Sequence, residues 1–156
     1  MAPREGLRAH LARHVHGPVV PRRGCALNVA AEAASVFAMT LPGAVRVNIV
    51  GSTYILGAGK DIDVLVLCEN KHDTLNVSGV VNSGWALETD EKYEGSEFFS
   101  IRKGDVNLLL TDDEEFFDGF AMAAEVCKYL KLADRAQRVA VHRIIRDGFD
   151  AEDASL

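Results

Sequence analysis

A chain of 156 residues, 48% hydrophobic and 26% charged, has the size and balance of one globular domain with a single sizeable core. Its formal net charge of −6 argues against a protein that coats nucleic acid nonspecifically. Cys25, Cys68 and Cys127 are odd in number and lack metal-ligand spacing, which points away from a disulfide frame, toward a reducing compartment and, by default, the cytoplasm.

No apolar run approaches the ~18 residues of a membrane span, and the N-terminus has no apolar core of a secretory signal, so no membrane partner is expected. Residues 1–22 form a basic segment that carries Arg4, Arg8, Arg13 and Arg22. Its pattern predicts a short amphipathic helix over about Arg4 to Val15, closed by Gly17-Pro18-Val19-Val20-Pro21. His10 and His14 stand at i, i+4, but no acid or cysteine nearby completes a zinc set, and they read as surface residues. An Ala-rich helix is expected over Cys25 to Thr40, with Leu27, Ala30, Ala31, Ala34 and Phe37 on one stripe and Leu41-Pro42-Gly43 as its stop.

Residues 44–111 read as a sheet core. Strands are expected at Val45–Val50, Ile62–Leu67, Trp85–Thr89, Phe98–Arg102 and Val106–Thr111, with turns at Glu94-Gly95 and Gly104. Residues 112–148 read as two closing helices. Asp112 with Glu115 has the shape of a capping box, Asp134 with Gln137 repeats it, and Gly148 is the expected C-cap. Phe116, Phe117 and Phe120 belong to a core stripe, Trp85 to a sheet seal, and Arg135, Arg138, Arg143 and Arg146 to a solvated helix face. Strands and helices are segregated more than alternating, so the expected class is α+β: a mixed β-sheet of about five strands flanked by helices, in one domain over residues 1–156.

The chemistry concentrates in Ile49-Val50-Gly51-Ser52 and, eight residues later, Asp61-Ile62-Asp63-Val64. Residues i and i+2 of a strand share a face, so Asp61 and Asp63 aim two carboxylates at one place. Like charges held together raise a pKa or call for a cation, and Mg²⁺ takes one or two carboxylates plus substrate phosphates. A third acid on a neighbouring strand completes a two-ion site, and Asp105, at the start of the Val106 strand, is the candidate. Asn107 shares its face and could bind a metal-bound water or a base. Gly51, Ser52 and Thr53 form the phosphate end, where backbone amides and a hydroxyl can donate. Lys60 stands beside Asp61, to neutralise phosphate or to sit in solvent, and Tyr54 to pack or to contact ribose.

These residues resemble the signature of the DNA polymerase β-like nucleotidyltransferase superfamily, in which a Gly-Ser turn precedes an Asp-x-Asp pair and a third acid follows on a later strand. Gly104-Asp105-Val106-Asn107-Leu108 and the acids after it are also similar to small nucleotidyltransferase-like proteins of phages and mobile elements. The resemblance implies the nucleotidyltransferase fold, a nucleoside triphosphate substrate, two Mg²⁺ ions and transfer of a nucleoside monophosphate with release of pyrophosphate. Asp61 and Asp63 would hold both ions, Asp105 the ion that activates the acceptor, and Ser52 the terminal phosphates. The acceptor is left open among an RNA end, a protein and a small molecule; its wall would come from the closing helices or from a second subunit. Two other classes fit the residues: a nucleotide-binding or interaction module of the same fold without transfer, and a nucleic-acid-binding protein using the basic N-terminal segment.

Overall fold

The computed structural model describes residues 25–77, 83–88 and 97–154. The basic segment, its expected helix and the Glu94-Gly95 turn lie outside them. Among the described residues the chain runs α1 (Cys25–Met39), β1 (Ala44–Val50), α2 (Gly51–Leu56), β2 (Ile62–Cys68), α3 (Lys71–Val77), β3 (Ala86–Glu88), β4 (Phe99–Lys103), β5 (Val106–Thr111), α4 (Glu114–Tyr129) and α5 (Arg135–Ala154). The strands form one sheet in the order β1-β2-β5-β4-β3. β2 and β5 run parallel; the other neighbours are antiparallel. This is the expected α+β class, with a mixed five-stranded sheet flanked by helices. No described helix is long and apolar enough to cross a membrane.

Both faces of the sheet are covered, which is why β2 and β5 are almost wholly apolar. Val64, Val66, Leu108, Leu110 and Ile101 point to the α1 side, where they meet Ala34, Ala38 and Leu41. The small alanines of α1 let the helix lie close to the sheet. Trp85 closes this layer, stacked on Phe37 at 5.4 Å between ring centroids. Leu65, Leu67 and Leu109 point the other way, onto Val50 and onto Phe117 and Ala124 of α4. Alternation then places Asp63 and Asn107, in line with Leu65 and Leu109, on the α4 side of the sheet at the N-terminal ends of β2 and β5.

Several local expectations need correction. The N-cap of α4 is Asp113, not Asp112: the Asp113 carboxylate accepts from the Phe116 amide at 3.0 Å. Asp112 instead accepts from the Lys71 amide at 3.2 Å, tying the start of α3 to the strand end. Gly148 lies inside α5, which continues to Ala154, because nothing after it breaks the helix. Asp134 does cap α5, accepting from the amides of Ala136 and Gln137. The segment after β1, expected as a turn, winds into the short helix α2, and α3 was not expected at all.

Candidate functional site at the head of β2

β1 ends at Val50, and the chain turns at once into α2 through Gly51, whose φ of +83° lies in the left-handed region. The turn folds back onto β2, because Val50 pairs with Asp63 across the antiparallel ladder. The approach is close. A methyl group at Gly51 would sit 2.1 Å from Asp63 Oδ2 and 2.9 Å from its Cβ and Cγ. Only a residue without Cβ fits, so the Gly-Ser turn and the second acid, far apart in sequence, share one site.

The return loop is fixed in the same manner. The Thr53 hydroxyl, on the buried side of α2, donates to the Asp61 carbonyl. Gly59 passes over Thr53 so tightly that a Cβ there would lie 2.3 Å from Thr53 Oγ1. Thr53 therefore holds the loop that presents the acids rather than facing outward. Among the described residues the Ser52 side chain makes no hydrogen bond and the exposed Lys60 has no partner. Tyr54 turns to α4: its hydroxyl donates to Glu125 and the Lys128 ammonium lies 3.9 Å above its ring. Burial, then the Glu125 contact, raises the Tyr54 phenol well above its ordinary range.

Asp63 and Asn107 are direct neighbours on the parallel strands β2 and β5. Asn107 Nδ2 donates to Asp63 Oδ1 at 3.0 Å, and the Ser100 hydroxyl donates to Asn107 Oδ1 at 2.7 Å. Ser100 Oγ also lies 3.0 Å from Glu88 Oε2, so a polar ladder crosses four strands from β2 to β3. Burial pushes the Asp63 carboxyl above its ordinary range; the Asn107 hydrogen bond and Arg102 pull it down, while Asp61 and Glu88 add to the rise.

Asp61 stands one residue before β2 and pairs with Arg102 of β4, NH1 to Oδ1 at 3.1 Å. The Nε of the same guanidinium donates to Glu88 Oε1 at 2.8 Å. Arg102, Glu88 and Ser100 are site neighbours that the sequence pattern did not single out. Asp105 behaves differently from the pair. Its carbonyl accepts the Ile62 amide at 2.7 Å, which opens the β2–β5 ladder, but its side chain is exposed in the turn after Gly104. Among the described residues no group of three or more His, Cys, Asp or Glu side chains is placed to share a metal ion.

The donor set can be weighed against the implied cations. Asp61 and Asp63 carry two formal negative charges, and among the described residues Arg102, shared with Glu88, is the cation that pairs with Asp61. Asp61 and Asp63 meet the one-or-two-carboxylate demand of Mg²⁺ completed by phosphate and water. A second ion lacks its carboxylate beside the pair, because the β5 residue next to Asp63 is the neutral Asn107.

Among solved structures, the fold is similar to the crystal structure of conserved protein GrpB from Enterococcus faecalis, with 16% sequence identity and a TM-score of 0.48 over 76% of this chain and 90% of that one. No family model and no curated protein matches the chain.

Proposed function

We propose that this chain binds the triphosphate of a nucleotide between the Gly51-Ser52 turn and the Asp61/Asp63 pair, and transfers the nucleoside monophosphate to an acceptor with release of pyrophosphate. One observation carries this reading: the contact of Gly51 with the Asp63 carboxylate, which makes a phosphate-type turn and a cation-type acid pair parts of one surface. In it, the Ser52 hydroxyl and the amides of the turn donate to phosphate oxygens. Asp61 and Asp63 would hold one Mg²⁺, which would supply charge neutralisation along the phosphate chain. Asp105, exposed beside the head of β2, is the carboxylate available on the acceptor side, and Lys60 lies free to meet phosphate charge. The chain's own contribution is positioning and charge, as in phosphoryl transfer generally.

A second reading, nucleotide binding without transfer, is favoured by Asn107 at the position beside Asp63, where a third carboxylate would complete a two-ion site. The two separate in one experiment. The chain is incubated with each labelled triphosphate, Mg²⁺ and candidate RNA, protein and small-molecule acceptors, while triphosphate binding is followed by calorimetry. Transfer predicts Mg²⁺-dependent labelling that disappears in the Asp61→Asn/Asp63→Asn double variant and drops sharply in Asp105→Asn. Binding without transfer predicts a calorimetric signal, lost in the double variant, with no pyrophosphate formed. Labelling that persists in the double variant would sink the site assignment altogether.

A further inference from the structure

Arg102 is the one cation paired directly with the acid pair among the described residues, and its two contacts use different edges of the guanidinium. Nε is committed to Glu88 at 2.8 Å, and NH1 reaches over to Asp61 at 3.1 Å. The anchor is the more enclosed side: Glu88 has 28% of its side chain exposed, against 42% for Asp61. β4 and β5 hold Arg102 opposite Asn107, and Asn107 opposite Asp63, so the guanidinium is placed by three neighbouring strands rather than by a loop. An arginine held this way can lose one carboxylate and stay where it is. Its planar fork keeps the remaining donors aimed in the same direction.

We infer that Arg102 is an exchangeable counter-ion: without a divalent cation it neutralises Asp61, and when one is bound by Asp61 and Asp63 it keeps Glu88 and turns NH1 to a phosphate oxygen of the substrate. This rests on the proposed triphosphate site. The charges require some such exchange. A divalent cation and a guanidinium both seek the Asp61 carboxylate, and held against one carboxylate they repel each other. The triphosphate brings the negative charge that lets both stay. Arg102 therefore opposes the cation alone and supports the cation with triphosphate, which links the two ligands: each is bound better when the other is present.

The test is calorimetric and needs no turnover. Mn²⁺ is titrated into wild type, Arg102→Gln and Arg102→Lys, first alone and then with a non-hydrolysable triphosphate. Arg102→Gln is expected to bind Mn²⁺ alone about fivefold more tightly and Mn²⁺-triphosphate about fivefold more weakly, each near the upper worth of a partly exposed ion pair. Arg102→Lys conserves net charge but loses the fork, so it cannot hold Glu88 and Asp61 together. It is expected to bind Mn²⁺ alone about threefold more tightly than wild type, an effect that bulk charge does not produce. Arg46→Gln, which removes a cation paired with Glu114 and Asp118 on the surface, sets the baseline for net charge. Circular dichroism shows that each variant is folded. Affinities in Arg102→Gln that match Arg46→Gln, or that shift in the same direction for cation and complex, overturn the exchange and leave the site assignment standing. A folded wild type that binds neither Mn²⁺ nor triphosphate overturns the site assignment, and the exchange with it.

Discussion

Replacing Gly51 by alanine tests the contact on which the site depends. Two costs add. The φ of +83° is a left-handed conformation that costs an L-residue about 1–2 kcal/mol. The new methyl also meets Asp63 Oδ2 at 2.1 Å and must drive the carboxylate off its 3.0 Å hydrogen bond with Asn107. Losing a partly buried hydrogen bond to a charged group costs about 1.5–3 kcal/mol. The expected loss is therefore about 2.5–5 kcal/mol, against a total stability of about 5–15 kcal/mol for a domain. At about 2–4 °C per kcal/mol for a chain of this size, the melting temperature should fall by roughly 5–20 °C. Urea denaturation followed by circular dichroism measures it, and the Asp63→Ala background isolates the clash. There Oδ2, Cγ and the hydrogen bond to Asn107 are gone, and the Gly51→Ala cost should shrink by roughly 1.5–3 kcal/mol, leaving mainly the backbone term and the Cβ contact. A cost below ~1 kcal/mol, or one unchanged by Asp63→Ala, would refute the close approach of turn and acid.

Three further outcomes follow from other contacts. Asp63→Asn keeps the acceptor for Asn107 and removes a partly buried charge, so at neutral pH it should raise the melting temperature. The folded-state pKa of Asp63 is raised, so the native state holds the proton more tightly than the unfolded chain. The stability lost to this group is therefore absent below the ordinary carboxylate range and grows as pH rises to the raised value; the advantage of the Asn variant should fade on acidification, and one constant across pH 3–7 would contradict it. Asp113→Ala should cost about 1 kcal/mol by removing the N-cap of α4, and circular dichroism melts that show a cost below ~0.5 kcal/mol would mean that Asp113 is not the cap. Leu108→Ala, at a fully buried position between α1 and the sheet, should cost about 2–5 kcal/mol in denaturant titration; a loss under ~1 kcal/mol would mean that this layer is not packed as described.

The sheet was legible because its central strands are buried on both faces, and Ile62–Cys68 and Val106–Thr111 announce themselves as apolar runs. The acid pair was legible for the same reason, as two charges breaking such a run. What failed was short or polar. α2 has only six residues, including the β-branched Thr53 and Ile55, too few to establish a 3.6-residue period. α3, Lys-His-Asp-Thr-Leu-Asn-Val, has no apolar stripe; its one signal was Asn70, whose side chain accepts the Asp73 amide at 3.1 Å and begins the helix. Gly148 reads as a stop, but a glycine inside a helix costs only about 1 kcal/mol, and α5 absorbs it. Arg102, Glu88 and Ser100 could not be picked out from local pattern at all. A charge on a short strand reads as a solvent-facing position, and only the pairing of Arg102 with Asn107, and of Asn107 with Asp63, brings these residues to the acids.

The polar ladder itself argues for a function rather than for stability. Ser100 and Asn107 are 1% and 6% exposed; Leu109 and Phe98 flank them on the same face, while Glu88, Arg102 and Asp63 stand opposite them across the ladder. Apolar side chains of similar size at such positions generally pack with no loss of stability, and replacing buried polar networks in this way is often stabilising. Each link also depends on the next. Ser100 orients the Asn107 amide so that its NH₂ faces Asp63, and Glu88 holds Arg102 toward Asp61. Removing a middle member takes a hydrogen-bond partner from its neighbours in a partly buried ladder. β3 and β4, which touch neither Asp61 nor Asp63 through the backbone ladder, thereby set the direction of both carboxylates. A fold that needed only a core here would have continued the valines and leucines of β2 and β5 to the strand ends. Four strands in register direct the Asp63 carboxylate to the Gly51 turn and Arg102 to Asp61, the arrangement on which the proposed ligand site rests.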